Sequence, residues 1–308
     1  MGFDDGGRQP EAFDLDWLDL REPFDALARN EALAAALMAR LPARPRLLDL
    51  GAGTGSLFRW LAPRIGRAQA WTLVDADREM AEAAFDTIAD RAEEIGLKVT
   101  FPARRTLLVH APGGAWRVEA LVADLAGAPA NLPLDNADAV LSSALADLVS
   151  RRWLERMATA LRVPFYASLC VDGRGGFAPP HAEDARVAAG FRRDQRRDKG
   201  FSGMALGPAA PGMIAEVFGA RGFTVAAATS DWVVRGRGGD PLPGLRSHTP
   251  RFLAELVTGH ATAAAQHDRR GAGRIEEWRE ARLDQVADRR LNLRVGHRDV
   301  LALPGARA

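Results

Sequence analysis

The stretch Leu47-Leu48-Asp49-Leu50-Gly51-Ala52-Gly53-Thr54-Gly55-Ser56 constrains the fold more than any other part of the chain. An apolar run ends in an acid, a glycine-rich turn follows, and a helix start follows the turn. Small apolar residues before such a turn suit a buried parallel strand. Gly51, Gly53 and Gly55 permit backbone angles and a close ligand approach that side chains block. The helix behind them aims its N-terminal amides at the turn. A dinucleotide fingerprint, GxGxxG, needs its third glycine at position 56, which is Ser. The spacing is GxGxG instead, with Asp49 two residues ahead of the first glycine. A carboxylate there suits a ligand that carries an amine and repels a pyrophosphate.

This pattern resembles motif I of the class I S-adenosylmethionine (SAM) dependent methyltransferases, whose turn wraps the methionine part of SAM. The resemblance covers about 45–235 plus the last strand and identifies no subfamily. It implies an α/β fold, a doubly wound and mostly parallel seven-stranded sheet with helices on both faces. It also implies a cofactor, SAM, held by Asp49, Gly51, Ala52, Gly53 and Gly55. Asp75, beside Ala76, ends the second apolar run and stands 24 residues after Gly51. It takes the family's ribose-binding place, while Asp77 is the better cap for the helix that follows. Asp124 ends the run Trp116–Ala123 and takes the place of the acid that accepts from the adenine amino group, with Leu125 packing on the ring. Ser142 lies at the carboxyl end of strand four, where the methyl donor is expected.

The chain divides into a tail and helical cap over 1–44 and a SAM-binding domain over 45–308. The spacing of Trp17, Leu20, Phe24 and Leu27 predicts a helix from Asp14 to Arg40. Arg21, Asp25 and Arg29 recur at four-residue steps on another face. They read either as an exposed ion-pair ladder or as a cap over the cofactor, with Arg21 meeting its carboxylate. Residues 1–12 read as disordered and 235–250 as a loop. An antiparallel excursion is expected before strand three, a lid over 177–211 hinged at Gly173–Gly176 and Gly200–Gly203, and a helical insertion at about 249–290. Asp147, read as lying in the first turn of a helix, Tyr166 and His181 are candidate catalytic groups by location alone.

The 308 residues are 47% apolar, enough for a sizeable core, and 41 basic residues stand against 40 acidic ones. That balance provides no global field for nucleic acid or a membrane surface. Cys170 is the only cysteine, so a zinc site of several cysteines is excluded. Ser142-Ser143-Ala144-Leu145 replaces the Asn/Asp-Pro-Pro-Tyr of amino-methylating DNA enzymes. No carboxylate cluster of the catechol-methylating kind is evident, and no metal is expected. The expected function is SAM-dependent methyl transfer to a small-molecule acceptor in the cytoplasm. An rRNA or tRNA methyltransferase using the arginines of 186–197, a non-catalytic SAM-fold binding module and a nicotinamide oxidoreductase are the alternatives.

Overall fold

The computed structural model describes residues 14–237 and 245–305. The expectation for residues 1–12 falls outside them. In chain order the elements are α1 (Leu15–Ala28), α2 (Glu31–Met38), β1 (Arg46–Leu50), α3 (Ser56–Ile65), β2 (Gln69–Asp75) and α4 (Arg78–Glu94). Then come β3 (Lys98–Ala103), β4 (Thr106–Ala111), β5 (Gly114–Val122), β6 (Ala139–Ser143), α5 (Arg151–Ala160) and β7 (Phe165–Ala178). The chain closes with α6 (Asp184–Gln195), α7 (Ala210–Gly219), β8 (Phe223–Thr229), β9 (Trp232–Arg235), α8 (Leu245–His267), α9 (Ala272–Ala287) and β10 (Asn292–Pro304).

The sheet runs β3-β4-β5-β2-β1-β6-β7-β10-β8, with β9 also paired to β10. The strands β5, β2, β1, β6 and β7 are mutually parallel, and β10 is antiparallel to both β7 and β8. These seven strands are the doubly wound sheet that the motif implied. The sheet of the described residues has ten strands because three more join it. β3 and β4 form the expected antiparallel excursion on β5. β9 continues what reads as one strand over 222–234, broken at Ser230, whose N–H donates to His297 O at 3.0 Å, and Asp231, whose carboxylate accepts from His297 N–H at 3.0 Å.

Alternation along β1 serves both faces. Leu48 and Leu50 pack with Leu154 and Met157 of α5 and Ile214 and Phe218 of α7. Leu47 packs on the other face with Leu33 and Leu37 of α2, Phe58 and Leu61 of α3 and Ile88 of α4. A third core joins Leu20 and Phe24 of α1 to Trp232 of β9, Phe252 and Val257 of α8 and Trp278 of α9. The helical insertion is thus a lobe with its own interior, which takes in residues of α1, while α2 packs on the sheet.

The single helix expected over 14–40 is two. Arg29 turns extended (ψ 138°), and Asn30 caps α2 by accepting from the Leu33 N–H at 3.0 Å. The N–H of Asn30 is taken by Asp299 at 2.7 Å. The loop expected to reach Pro250 gives way to α8 at Leu245, with Pro250 inside the helix.

The segment 177–211, where a lid is expected, packs against its neighbours in this structure. β7 continues to Ala178 against β10. Gly175 is there because β10 crosses so closely that a Cβ would lie 2.0 Å from the Arg294 carbonyl oxygen. α6 packs on α8 near Gly190 and Ala264. Beyond α6 the chain is stapled to the end of the sheet: Leu206 N–H donates to Val149 O at 2.9 Å, Gly207 N–H to Asp147 O at 2.8 Å and Ser150 Oγ to Phe201 O at 2.7 Å. Among the described residues no helix is long and apolar enough to cross a membrane.

Candidate functional site

β2 and β6 flank β1 on opposite sides, so the strand order reverses at β1 and a crevice opens at its carboxyl end. The glycine turn occupies that crevice. Gly51, Gly53 and Gly55 all have positive φ (65°, 53° and 82°), a conformation that side chains strain to adopt. The turn hangs on β2: Gly51 and Ala52 N–H donate to Val74 O at 2.9 and 3.0 Å, and Gly53 N–H to Asp75 Oδ2 at 2.9 Å. Burial pushes the Asp75 carboxyl up, while the amides of Asp77 and Gly53 oppose the shift. Asp77 caps α4 through Glu79 N–H at 2.8 Å, and Ala76 between the two acids is exposed.

Asp49 faces the α2–α3–α4 side of the sheet with Leu47. It is 1% exposed, and neither carboxylate oxygen has a hydrogen-bond partner. Burial pushes its pKa to about 7, against the pull of nearby Arg29 and with a further push from Asp75. Arg29 is equally enclosed, at 3% exposure. Its Nη2 donates to Ser56 Oγ at 3.0 Å and Ser143 Oγ at 3.1 Å, bridging the start of α3 and the end of β6. Its Nε and Nη1 are buried without a partner. An acid and a cation at the glycine turn are therefore both buried and both short of partners.

Arg21 does not reach this point. It pairs with Asp25 at 3.0 Å and lies 4.9 Å over the Trp232 ring, and Asp25 also accepts from Trp232 Nε1 at 3.0 Å. The anticipated ladder thus stops at its first pair, which is buried against the lobe. Arg29 leaves it because the helix ends there. Nothing in the heptad spacing marks that break; the signal was Asn30, a good cap.

α1 roofs the turn. Leu18 Cδ1 lies 3.3 Å from where a Cβ on Gly53 would stand, and Leu145 Cδ1 lies 3.3 Å from that of Gly51. Glu22 pairs with Arg59 of α3, Asp19 with Arg91 of α4, and Trp60 Nε1 donates to Ala26 O at 3.1 Å.

Other expected positions divide. Asp124 is exposed and caps a short turn through Ala126 N–H at 2.8 Å, whereas Leu125 is buried in the core behind it. Ser142 is buried at the end of β6. Asp147 precedes α5, whose N-cap is Ser150, so it lies in a loop and not in a helical turn. Tyr166 is fully buried, and its hydroxyl donates to Asp299 Oδ2 at 2.8 Å. Burial and Asp299 push the phenol well above its ordinary range. His181 follows the end of β7, ten residues of strand beyond Ser168, or about 30 Å along it. There its ring accepts from Glu183 N–H at 3.2 Å, away from the crevice.

Sequence reasoning missed Asp299. It is fully buried on β10 and accepts from Tyr166, from Asn30 N–H and from Leu169 N–H at 2.9 Å. Leu169 (φ 54°), inside β7, and Ala144 (φ 52°), just after β6, are left-handed residues, a strain that sites collect. Such a long-range polar anchor has no local sequence signal.

No family model matches the chain. It is 51% identical over 55 residues to the biotin biosynthesis bifunctional protein BioCD of Bordetella avium, a match covering 18% of this chain and 12% of that protein. The chain thus spans only about an eighth of that relative's length. Among solved structures it is similar to the cyclopropane synthase MmaA2 of Mycobacterium tuberculosis, with TM-score 0.45, 15% identity and 94% of each chain covered. It is similar also to the plantazolicin methyltransferase BpumL in complex with SAH, with TM-score 0.43, 12% identity and 94% and 88% covered. A third is a geranyl diphosphate methyltransferase in complex with GPP and sinefungin, with TM-score 0.41, 13% identity and 89% and 78% covered.

Proposed function

We propose that the chain is a SAM-dependent methyltransferase acting on a small-molecule acceptor. The observation that carries this reading is the pair of buried, under-partnered charges at the glycine turn. A charge left without a partner in a dry interior is costly. An α-amino acid group offers both missing partners at once, a carboxylate for Arg29 and an ammonium for Asp49. A dinucleotide pyrophosphate offers nothing to Asp49 except repulsion. SAM carries that amino-acid group on an adenosine, and when bound it supplies an activated methyl.

On this reading Arg29 holds the carboxylate with charge-assisted hydrogen bonds. Asp49 accepts from the ammonium, and Asp75 at the end of β2 is placed for the ribose. Asp124 keeps one carboxylate oxygen outside its turn hydrogen bond for the adenine amino group, with Leu125 behind it. α1 excludes water from the crevice and orients Arg29 between Ser56 and Ser143. A small acceptor suits this roofed site. The basic segment offers little to RNA, because Arg186 pairs with Glu183 and Asp268, and Arg197 with Asp194.

Calorimetry with two ligands tests the reading. Arg29→Ala weakens binding of S-adenosylhomocysteine by about ten- to a hundredfold, the scale of one or two lost charge-assisted bonds. It leaves 5′-methylthioadenosine, which lacks the amino-acid end, within about threefold on the same scale. Equal losses for both ligands overturn the role of Arg29. Binding of NAD without S-adenosylhomocysteine overturns the function.

A further inference from the structure

Asp147 stands at the end of the sheet on the other side of β6 from the glycine turn. Ala144, with its left-handed backbone and its N–H on Ser168 O at 3.0 Å, sends the chain sharply across the strand ends. Leu145 then leans on the glycine turn, and Asp147 is fixed through its own carbonyl, which accepts from Gly207 N–H at 2.8 Å. Its Oδ1 is enclosed and has no hydrogen-bond partner. The charged and titratable groups around it come from three elements. Arg21 approaches from α1, Lys199 from the segment stapled to the sheet, and Cys170 from β7, with Asp299 of β10 behind the cysteine. Arg21 is held by Asp25 at 3.0 Å, and Lys199 lies 3.6 Å from Asp194.

We propose that Asp147 is the catalytic base, and that the acceptor it serves is an uncharged hydroxyl compound. This rests on the methyltransferase reading above. The acceptor class follows from the surroundings. A protonated amine has no lone pair for the methyl until it sheds its proton, and it enters beside two cations, Arg21 and Lys199. A carboxylate acceptor arrives already ionised, needs no base and meets the charge of Asp147. A hydroxyl meets neither obstacle and offers Oδ1 the donor it lacks. In the transfer, the hydroxyl oxygen uses a lone pair to form the bond to the methyl carbon. The carbon–sulfur bond breaks with its pair going to sulfur, which becomes a neutral thioether. The hydroxyl proton passes to the Asp147 carboxylate and later to water. Burial pushes the Asp147 pKa to about 6, with Arg21 and Lys199 opposing the shift, so the base works near neutral pH.

The test uses tritiated SAM and a protein-free bacterial metabolite extract, with labelled products identified after separation, alongside calorimetry with S-adenosylhomocysteine. The wild type is expected to give methyl ethers, at a rate that rises with pH about a midpoint near 6. Asp147→Asn is expected to lose about a hundredfold or more in kcat, the usual scale for general-base removal, and to lose the midpoint. It keeps S-adenosylhomocysteine affinity within about threefold, which shows that it is folded. Asp147→Glu is expected to recover part of the rate. Retained turnover or an unmoved midpoint in Asp147→Asn overturns the base. Label found only on amines overturns the acceptor class. Wild-type protein that binds S-adenosylhomocysteine but labels nothing overturns this inference alone, whereas protein that binds none overturns the reading beneath it.

Discussion

At the scale of single residues, the polar groups inside this protein divide into those whose partners are complete and those whose partners are missing. Asp299 belongs to the first kind. It gathers Tyr166, Asn30 and Leu169, and so ties β7, the start of α2 and β10 together. Tyr166→Phe removes one bond to a charged acceptor, a loss of about 1.5–3 kcal/mol in urea unfolding. Asp299→Ala strands three donors and is expected to lose more. With its hydroxyl on Asp299, Tyr166 acts as a strut, and Tyr166→Phe is expected to leave S-adenosylhomocysteine affinity unchanged; a large loss of affinity without a loss of stability returns it to the site. Asp49 and Arg29 belong to the second kind, and their missing partners point at a ligand. Here local sequence spoke only in part. Asp49 is legible from its place before the glycines, whereas Arg29 was passed over for Arg21, since helical spacing ranks the two alike.

At the scale of elements, α1 has two roles, roofing the glycine turn and filling the lobe interior. Leu20 and Phe24 face the lobe, with Phe24 stacked on Phe252 at 3.9 Å. The other side of the helix meets the sheet domain through Leu18, Glu22 and Asp19. The Glu22–Arg59 pair is mostly shielded, with side chains 19% and 9% exposed. Glu22→Ala leaves Arg59 beside the turn without its carboxylate. Amide hydrogen exchange is expected to quicken over 15–28 and nowhere in β1, β2 or β6. A uniform rise across the sheet, or none in α1, shows that the pair does not hold the roof. The α6–α8 contact makes a second test. A Cβ on Gly190 would lie 2.6 Å from Ala264 Cα, so Gly190→Ala forces two helices apart. The expected loss is about 1–3 kcal/mol, as for other overpacked sites.

At the scale of the whole molecule, opposed titrations shape stability. Burial raises Asp49 to about 7 and Asp147 to about 6 from an ordinary 3.8. The unfolded chain ionises these acids first, so each lowers stability as pH rises from about 4 towards its folded value. Burial lowers His260 and His297 to about 4 from 6.5. Each keeps its full contribution above 6.5 and loses it as pH falls towards 4. Between about pH 4.5 and 6 the two histidines thus pull stability up with pH, while Asp49 and Asp147, joined by Asp75, pull it down. Asp49→Asn removes one downward slope, and the slope of stability against pH in that variant is expected to lie about 1.4 kcal/mol per pH unit above that of the wild type in that window. Urea titrations at three pH values read this directly. A variant with the same slope as the wild type means that Asp49 is not held protonated by the fold.

The sequence by itself determined the sheet and the place of the crevice. Strand alternation, the acid-glycine turn and the acids ending β2 and β5 are local patterns, and local backbone chemistry enforces them. What only tertiary structure decided is which groups meet across the ends of those strands. The segment 177–211 packs where it does because β10 and α8 lie against it. Tyr166 became a strut because β10 brings Asp299 beneath it. Arg29 stands near Asp49 because Asn30 finds Asp299, 269 positions away, and turns the chain there. Each of these rests on a contact between residues far apart in the chain, and such contacts leave no periodicity behind for a sequence to display.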